Sequence, residues 1–317
     1  THLYKLLSSY KEKKFFYLNN CGTNFWGTVI DIVLYFKGGK KILIRPTEHD
    51  LKIDYFNRLK EILNFNILYF LKRSIIFLSN TFFRKIIQFI TPKPKIIFAG
   101  NNFLFRKLKK SEASVFKFNC PEFEKFFYTK IKKDKKYLVY IDQDMFQSFD
   151  NSINHSQEQI LNPKKYEKEL FNTIQCIENS KILKKYPLMV AAHPRRKKKF
   201  NFRKQKVIFN KTFELISKAK LVLAHTSLAI KYAILFEKPI ILLNAKKYFN
   251  SENLAEINFL KNNLNLITID ISDKDSTNLD KIKKIFFNKK KYKKFKDEFI
   301  SFPHYKKMTR WREVASR

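Results

Sequence analysis

Two polar clusters, each straight after a short apolar run, hold most of the residues in this chain whose types could do chemistry. The first is His193-Pro194-Arg195, which closes the run Leu188 to Ala192. The second is His225-Thr226-Ser227, which closes Leu221 to Ala224. A histidine ring nitrogen can donate a hydrogen bond to phosphate, and an arginine can donate two in parallel. Pro194 fixes its own φ and keeps the residue before it out of a helix, so His193 is set in a turn. Thr226 or Ser227 can cap a helix expected from Leu228 to Phe236, and free amides with hydroxyls at such a start suit an anion. Taken singly, each cluster reads equally as a solvated basic loop or a plain cap. Between them, Lys211 and Thr212 open another helical segment. Thr212 is placed to cap it and Lys211 to reach a phosphate.

A third cluster, Asp142-Gln143-Asp144, follows the run Tyr137 to Ile141, with Asp150 beyond it. Carboxylates at this spacing can hold a divalent cation against a diphosphate, contact a nucleoside, serve as a base, or form a solvated turn. Glu48, His49 and Asp50 follow the run Lys41 to Arg45 and are candidates for a general base. Glu122 and Glu124 are further acidic candidates. Asn101 and Asn102 either line a cleft or form a turn.

The elements that must position these groups follow from the pattern. The runs Leu188 to Ala192, Leu221 to Ala224 and Pro239 to Leu243 do not alternate with polar residues, so each is expected as a strand buried on both faces. Further strands are expected at Lys14 to Asn19, Lys41 to Arg45, Lys95 to Ala99, Tyr137 to Ile141 and Leu266 to Ile271. Helical spacing appears at Trp26 to Phe36, stopped by Gly38-Gly39, and at Leu51 to Leu63, Ile67 to Ile90 and Pro163 to Glu178. A very basic helix is expected at Lys281 to Phe299. This β-loop-α alternation implies parallel sheets, whose ligands bind beyond the carboxyl ends of the strands. Charge density rises sharply at Lys130 to Lys136, which sets a first domain at 1–133 and a second at 134–285. A basic helix and tail, 286–317, are expected to pack back toward the first domain.

At 317 residues the chain can hold two medium domains. Its 65 Lys+Arg against 28 Asp+Glu give a formal net charge of +37. That field attracts polyanions or an anionic membrane surface. Only 5 glycines beside 34 phenylalanines, with abundant Lys, Asn and Ile, indicate a compositionally biased genome, so no single Phe is read as functional. Cys21, Cys120 and Cys176 are odd in number and far apart, which argues against a disulfide framework or a zinc knuckle and favours a reducing cytoplasm. The chain starts at Thr1, so the native start can lie upstream. No apolar run nears the roughly 20 residues needed to span a bilayer. There is no P-loop, GxGxxG, GxSxG or zinc spacing. Charge alone keeps a basic nucleic-acid-binding protein as an alternative. The basic runs lack a nucleic-acid signature, and that reading leaves the strand-end clusters unexplained.

The stretches YLVYIDQDMFQSFD, VAAHPRR, NKTFEL and VLAHTSLAIKYAILFEKPIIL together resemble a bacterial surface-carbohydrate biosynthesis family, similar in outline to GT-B sialyltransferases and Kdo transferases. Those enzymes carry an acidic motif, an HP motif and a Ser/Thr motif in that order. The resemblance covers Tyr137 to Leu243. It implies an α/β GT-B fold, two Rossmann-like domains facing across a cleft, with the acceptor on the first domain and the nucleotide sugar on the second. It implies an inverting, metal-independent glycosyltransferase that moves an acidic sugar (sialic, pseudaminic or Kdo-like) from a CMP-sugar to a surface glycan or glycolipid. No cofactor is implied beyond the donor.

By the resemblance, His193 contacts the donor phosphate, Pro194 shapes its loop, and Thr226 and Ser227 bind the phosphate or the sugar carboxylate. Asp142, Gln143 and Asp150 match the acidic motif, with Asp144 beside them. Asp142, Asp144, Glu48 and Asp50 are the candidates for catalysis. His193, Pro194, Arg195, Lys211, Thr212, His225, Thr226, Ser227, Gln143 and Asp150 are those for donor binding. The acidic motif of that family usually contains Gly, and Asp-Gln-Asp does not. Lys231 and Tyr232 stand where many nucleoside-diphosphate enzymes carry a ribose-binding Glu, which favours CMP over UDP. A related transferase using a CDP-activated polyol phosphate, or one using a nucleoside-diphosphate sugar, is the alternative enzyme. The charge, with the segments Lys281 to Lys296 and Ile67 to Ile90, implies a cytoplasmic enzyme peripheral on the inner face of the cell membrane.

Overall fold

The fold is described from a computed structural model. It describes residues 15–18, 34, 39–45, 93–129, 136–144, 163–196, 202, 205–249, 251–273 and 287–302. Among the candidates, Glu48, His49, Asp50 and Asp150 lie outside these residues, as do most of the expected helices at 26–36, 51–63 and 67–90. The chain divides into two compact units. One takes in the chain up to Cys120, apart from 50–54, and again from Asp297; the other holds 50–54 and the chain from Pro121 to Lys296.

The first unit holds a parallel sheet of β1 (Phe15–Leu18), β2 (Gly39–Arg45), β3 (Ile96–Ala99) and β4 (Ser114–Lys117), in that order. Gly39 opens β2, so this strand starts two residues before the expected Lys41. The helix that Gly38-Gly39 is expected to stop lies, apart from Leu34, outside the described residues. Helix α1 (Asn102–Leu108) follows β3. Asn101 caps it, accepting from Leu104 N at 2.8 Å, and donates to Phe299 O at 3.2 Å. Asn102 donates to Asp297 O at 2.6 Å. Asn101 and Asn102 thus form a turn and fasten the chain near Phe299.

The second unit starts with α2 (Pro121–Tyr128) and then follows a regular alternation. Its strands are β5 (Tyr137–Ile141), β6 (Leu188–Ala191), β7 (Lys206–Ile208), β8 (Ala219–Ala224), β9 (Ile240–Asn244) and β10 (Ile267–Asp270). Between them lie α3 (Pro163–Glu178), α4 (Thr212–Ser217), α5 (Ile230–Leu235) and α6 (Ser251–Leu264). All neighbouring strands pair in parallel. The spatial order is β10-β9-β8-β5-β6-β7. Counted from β5 as the first strand, this is the 3-2-1-4-5-6 order of the doubly wound Rossmann sheet. The α/β class is therefore as the sequence implies.

Helix α3 presents Tyr166, Leu170, Thr173, Ile174 and Ile177 to the core, a spacing of three and four residues. Every residue of β9 is buried, as are Leu221 to Ala224 of β8. Each Leu or Ile so buried stabilises the fold by about 2 kcal/mol. Helix α7 (Lys289–Phe299) buries Tyr292 and Phe295, and Tyr292 Oη donates to Lys238 O, at the entry to β9, at 3.0 Å. Its Lys289, Lys290, Lys293 and Lys294 face solvent.

Candidate functional site

With so few glycines, the chain builds the turns at its strand ends from polar side chains. Asp142 Oδ1 accepts from Asp144 N, two residues on, at 3.2 Å. His193 Nδ1 accepts from Arg195 N at 3.2 Å, and Ser227 Oγ from Ala229 N at 3.2 Å. Such side-chain turns mimic a backbone turn. Asp144 takes a left-handed φ of 50°, which Asp tolerates better than most residues.

These turns meet where the strand order reverses. From β5 the chain steps to β6 and β7 on one side; from β8 it steps to β9 and β10 on the other. The turns after β5 and β8 are thus neighbours at the switch point, the place where such sheets take ligands. Gln143 ties them together. Its Oε1 accepts from Thr226 N at 3.0 Å, and its Nε2 donates to Thr226 Oγ1 at 3.3 Å.

Asp142 ties the turn after β6 to the same point. Its carboxylate accepts from His193 N at 3.2 Å, from Arg196 Nε at 2.9 Å and from Arg196 Nη2 at 3.1 Å. Arg196 Nη1 also lies 2.8 Å from Asp144 Oδ1. This last contact is an ion pair without hydrogen-bond alignment, since neither Asp144 oxygen has a hydrogen-bond partner among the described residues. Burial works against the Arg196 charge, but the bond to Asp142 and the two carboxylates outweigh it, and the guanidinium pKa is raised. Asp142 and Asp144 are both buried. Arg196 stands in a run of cations from Arg195 to Lys199, and nothing in the sequence sets it apart from its neighbours.

Beneath the turns sits a buried clamp. His225 Nδ1 meets Leu243 O at 2.5 Å, and Nε2 lies 2.8 Å from Tyr166 Oη. A carbonyl only accepts, so Nδ1 carries the proton and Nε2 accepts from the tyrosine. Burial lowers the His225 pKa to about 4, against the opposing pull of the Leu243 bond and the Asp142 charge. The ring is therefore neutral. Burial also pushes the Tyr166 hydroxyl up, keeping it a donor. Both nitrogens of His225 are spent inside the protein, so it frames the site and has none left for a donor molecule. Tyr248 Oη donates to Glu169 Oε2 at 3.0 Å and packs edge-on against Tyr166. Neither Tyr166 nor Tyr248 was singled out from the sequence.

No protein-family model matches the chain. No curated protein matches it either. Several solved structures share its outline. The UDP-GlcNAc 2-epimerase from Methanocaldococcus jannaschii aligns over 92% of this chain and 79% of its own, at 15% identity and a TM-score of 0.44. The glycotransferase of kitacinnamycin aligns over 86% and 67%, at 11% identity and a TM-score of 0.40. The wall teichoic acid polymerase TagF aligns over 84% and 65%, at 13% identity and a TM-score of 0.38. The chain thus spans about two thirds of the latter two. The strand order and side chains of the chain itself carry the reading that follows.

The remaining candidates sort by exposure. Pro194 and Arg195 are exposed, and His193 is half-buried. With Nδ1 accepting from an amide, the neutral ring carries its proton on Nε2, which has no partner among the described residues. Ser227 is half-buried, and its O–H remains a donor while its oxygen accepts. Thr226 is buried. Helix α5 starts at Ile230, two residues later than expected, because Ser227 O and Leu228 O first accept in tight turns from Ile230 N and Lys231 N. At six residues it is too short for a strong dipole, so the donors of this turn are local groups. Thr212 does not cap α4. Lys211 takes the cap position, with no side-chain bond, and Thr212 is already helical. Lys211, Lys246 and Lys247 are exposed at the carboxyl ends of β7 and β9.

Proposed function

We propose that the chain is a glycosyltransferase that takes a sugar from a nucleotide-activated donor held at the switch point of the second unit. One observation carries this. The turns after β5, β6 and β8 are fastened to one another by Asp142 and Gln143, while the donors of His193 Nε2 and the hydroxyls of Thr226 and Ser227 stay available. Flanking β5, these turns rise from strand ends roughly 10 Å apart, a gap that their side chains and a bound phosphate fill. Donors placed where charge develops on a leaving group are worth about 3 kcal/mol each in the transition state.

The sequence resemblance refines this to a CMP-activated acidic sugar, transferred with inversion to a surface glycan or glycolipid at the inner membrane face. The reading is metal-independent. Arg196, between Asp142 and Asp144, supplies the positive charge a cation would bring there. We assign Asp142 a positioning role, since a carboxylate that holds an arginine and two amides has little capacity to take a proton from an acceptor hydroxyl. We assign Asp144 the same role because it is buried against the Arg196 charge. Glu48 and Asp50 remain the candidates for that base. The GT-B arrangement of the two units belongs to the same proposal.

Calorimetric titration of CMP into the full chain tests the site. The wild type should bind CMP, and His193→Ala should weaken binding at least tenfold without lowering Tm. Equal binding by the variant would remove His193 from the site. Release of CMP from a CMP-sugar, rather than from CDP-glycerol, separates the sugar transferase from the polyol phosphate one.

A further inference from the structure

The amino ends of the strands in the second unit form a different surface from the carboxyl ends. Lys136 N donates to Lys218 O at 2.9 Å where β5 and β8 begin, which brings these two lysines together. On the turn that enters β6, Lys184 and Lys185 are exposed. The ammonium groups of Lys185 and Lys220 both sit over the Tyr186 ring, at 5.4 Å and 5.8 Å from its centre. An aromatic ring that draws two ammoniums together offsets their repulsion. Ile182 stands beside these lysines with 43% of its surface exposed. Among the described residues, the acids at this end include Glu178, which accepts from Gln205 at 2.8 Å, and the exposed Glu237. The outward lysines of α7, anchored at the entry to β9, extend the same end.

We propose that this amino-end surface docks on an anionic lipid bilayer. The inference rests on the reading of the chain as a membrane-surface enzyme, and its test is independent of the nucleotide site. A cluster of exposed lysines around one exposed isoleucine suits a headgroup layer: the ammoniums meet lipid phosphates, and the apolar tip enters the acyl boundary. Lysine stems bury along such a surface while their charges stay in water. A nucleic acid fits less well. The described cations at this end are all lysines, whereas arginine is the residue suited to bidentate phosphate and base contacts. The Tyr186 ring, already taken by two ammoniums, is no platform for a stacked base.

The test is co-sedimentation of the full chain with vesicles of mixed phosphatidylcholine and phosphatidylglycerol, beside vesicles of phosphatidylcholine alone. The wild type should partition onto the anionic vesicles only, and less so as salt rises. The triple variant Lys184→Glu, Lys185→Glu, Lys220→Glu should lose about a hundredfold or more in partition. Ile182→Ser should lose severalfold while keeping the salt dependence. Equal partition of the triple variant and wild type would overturn the proposal. So would a triple variant that loses affinity for a single-stranded RNA oligonucleotide but keeps its vesicle binding. CMP titration of the triple variant separates the two proposals. Unchanged CMP affinity with lost partition assigns the surface alone, and absence of CMP binding in the wild type would refute the nucleotide site and leave the docking result standing.

Discussion

The two ends of the six-stranded sheet use charge in opposite ways. At the carboxyl end, charges are buried and paired: Asp142 and Asp144 are locked on Arg196, and His225 is held neutral between Tyr166 and Leu243. At the amino end, most of the described charges are positive and at least partly exposed, and two of them are gathered by a tyrosine ring rather than by carboxylates. Buried charges cost several kcal/mol each unless their partners are in place, so the first end is rigid and sensitive to change. Exposed lysines cost little and act at long range, so the second end tolerates single changes and answers to salt. Position is controlled at one end and attraction supplied at the other.

That contrast can be broken or sharpened. The largest effect is expected from Arg196→Met, which strands two buried carboxylates. The urea midpoint should fall by the equivalent of about 4 kcal/mol, and a loss below about 1 kcal/mol would show that Arg196 is not the lock. His193→Ala should lower turnover by about a hundredfold to a thousandfold with Tm unchanged, read in a donor-hydrolysis assay. Acid should act through His225. The folded ring titrates at about 4 and the unfolded ring at 6.5, so the unfolded chain takes the proton first. The His225 contribution is then full above pH 6.5 and is lost as pH falls toward 4, by about 3 kcal/mol in all. Denaturant melts of wild type and His225→Gln across that window should show the acid slope only in the former. Gln143→Ala unties two turns and should weaken CMP binding by about tenfold. The smallest effect belongs to the amino end: Lys184→Gln should shift stability by no more than about 0.5 kcal/mol.

Much of the second unit was legible because its strands are continuous apolar runs with nothing else to be. Tyr137 to Ile141 and Pro163 to Glu178 match β5 and α3 to the residue. The edge strands β4 and β7 were not legible. Each is four residues or fewer, and neither has a buried residue to mark it. Helix α6 was hidden for another reason: its asparagines blur the apolar stripe that spacing alone must reveal. The clusters after β5, β6 and β8 were found, but not how each residue is used. Residue type does not say which of Arg195 and Arg196 turns inward, nor that His225 spends both nitrogens on its own fold. Those outcomes depend on which strands become neighbours, and the reversal of order beside β5 is a property of the whole sheet.

A parallel sheet also sets a distance. The five residues of β5, at roughly 3.3 Å each, separate its two ends by about 17 Å. If one end rests on lipid headgroups with the strands upright, the reacting end stands off by about that height. An acceptor hydroxyl carried close to its lipid anchor would fall short, and only the far tip of a longer chain would arrive. Strand length would then act as a gauge, admitting acceptors by how far they reach.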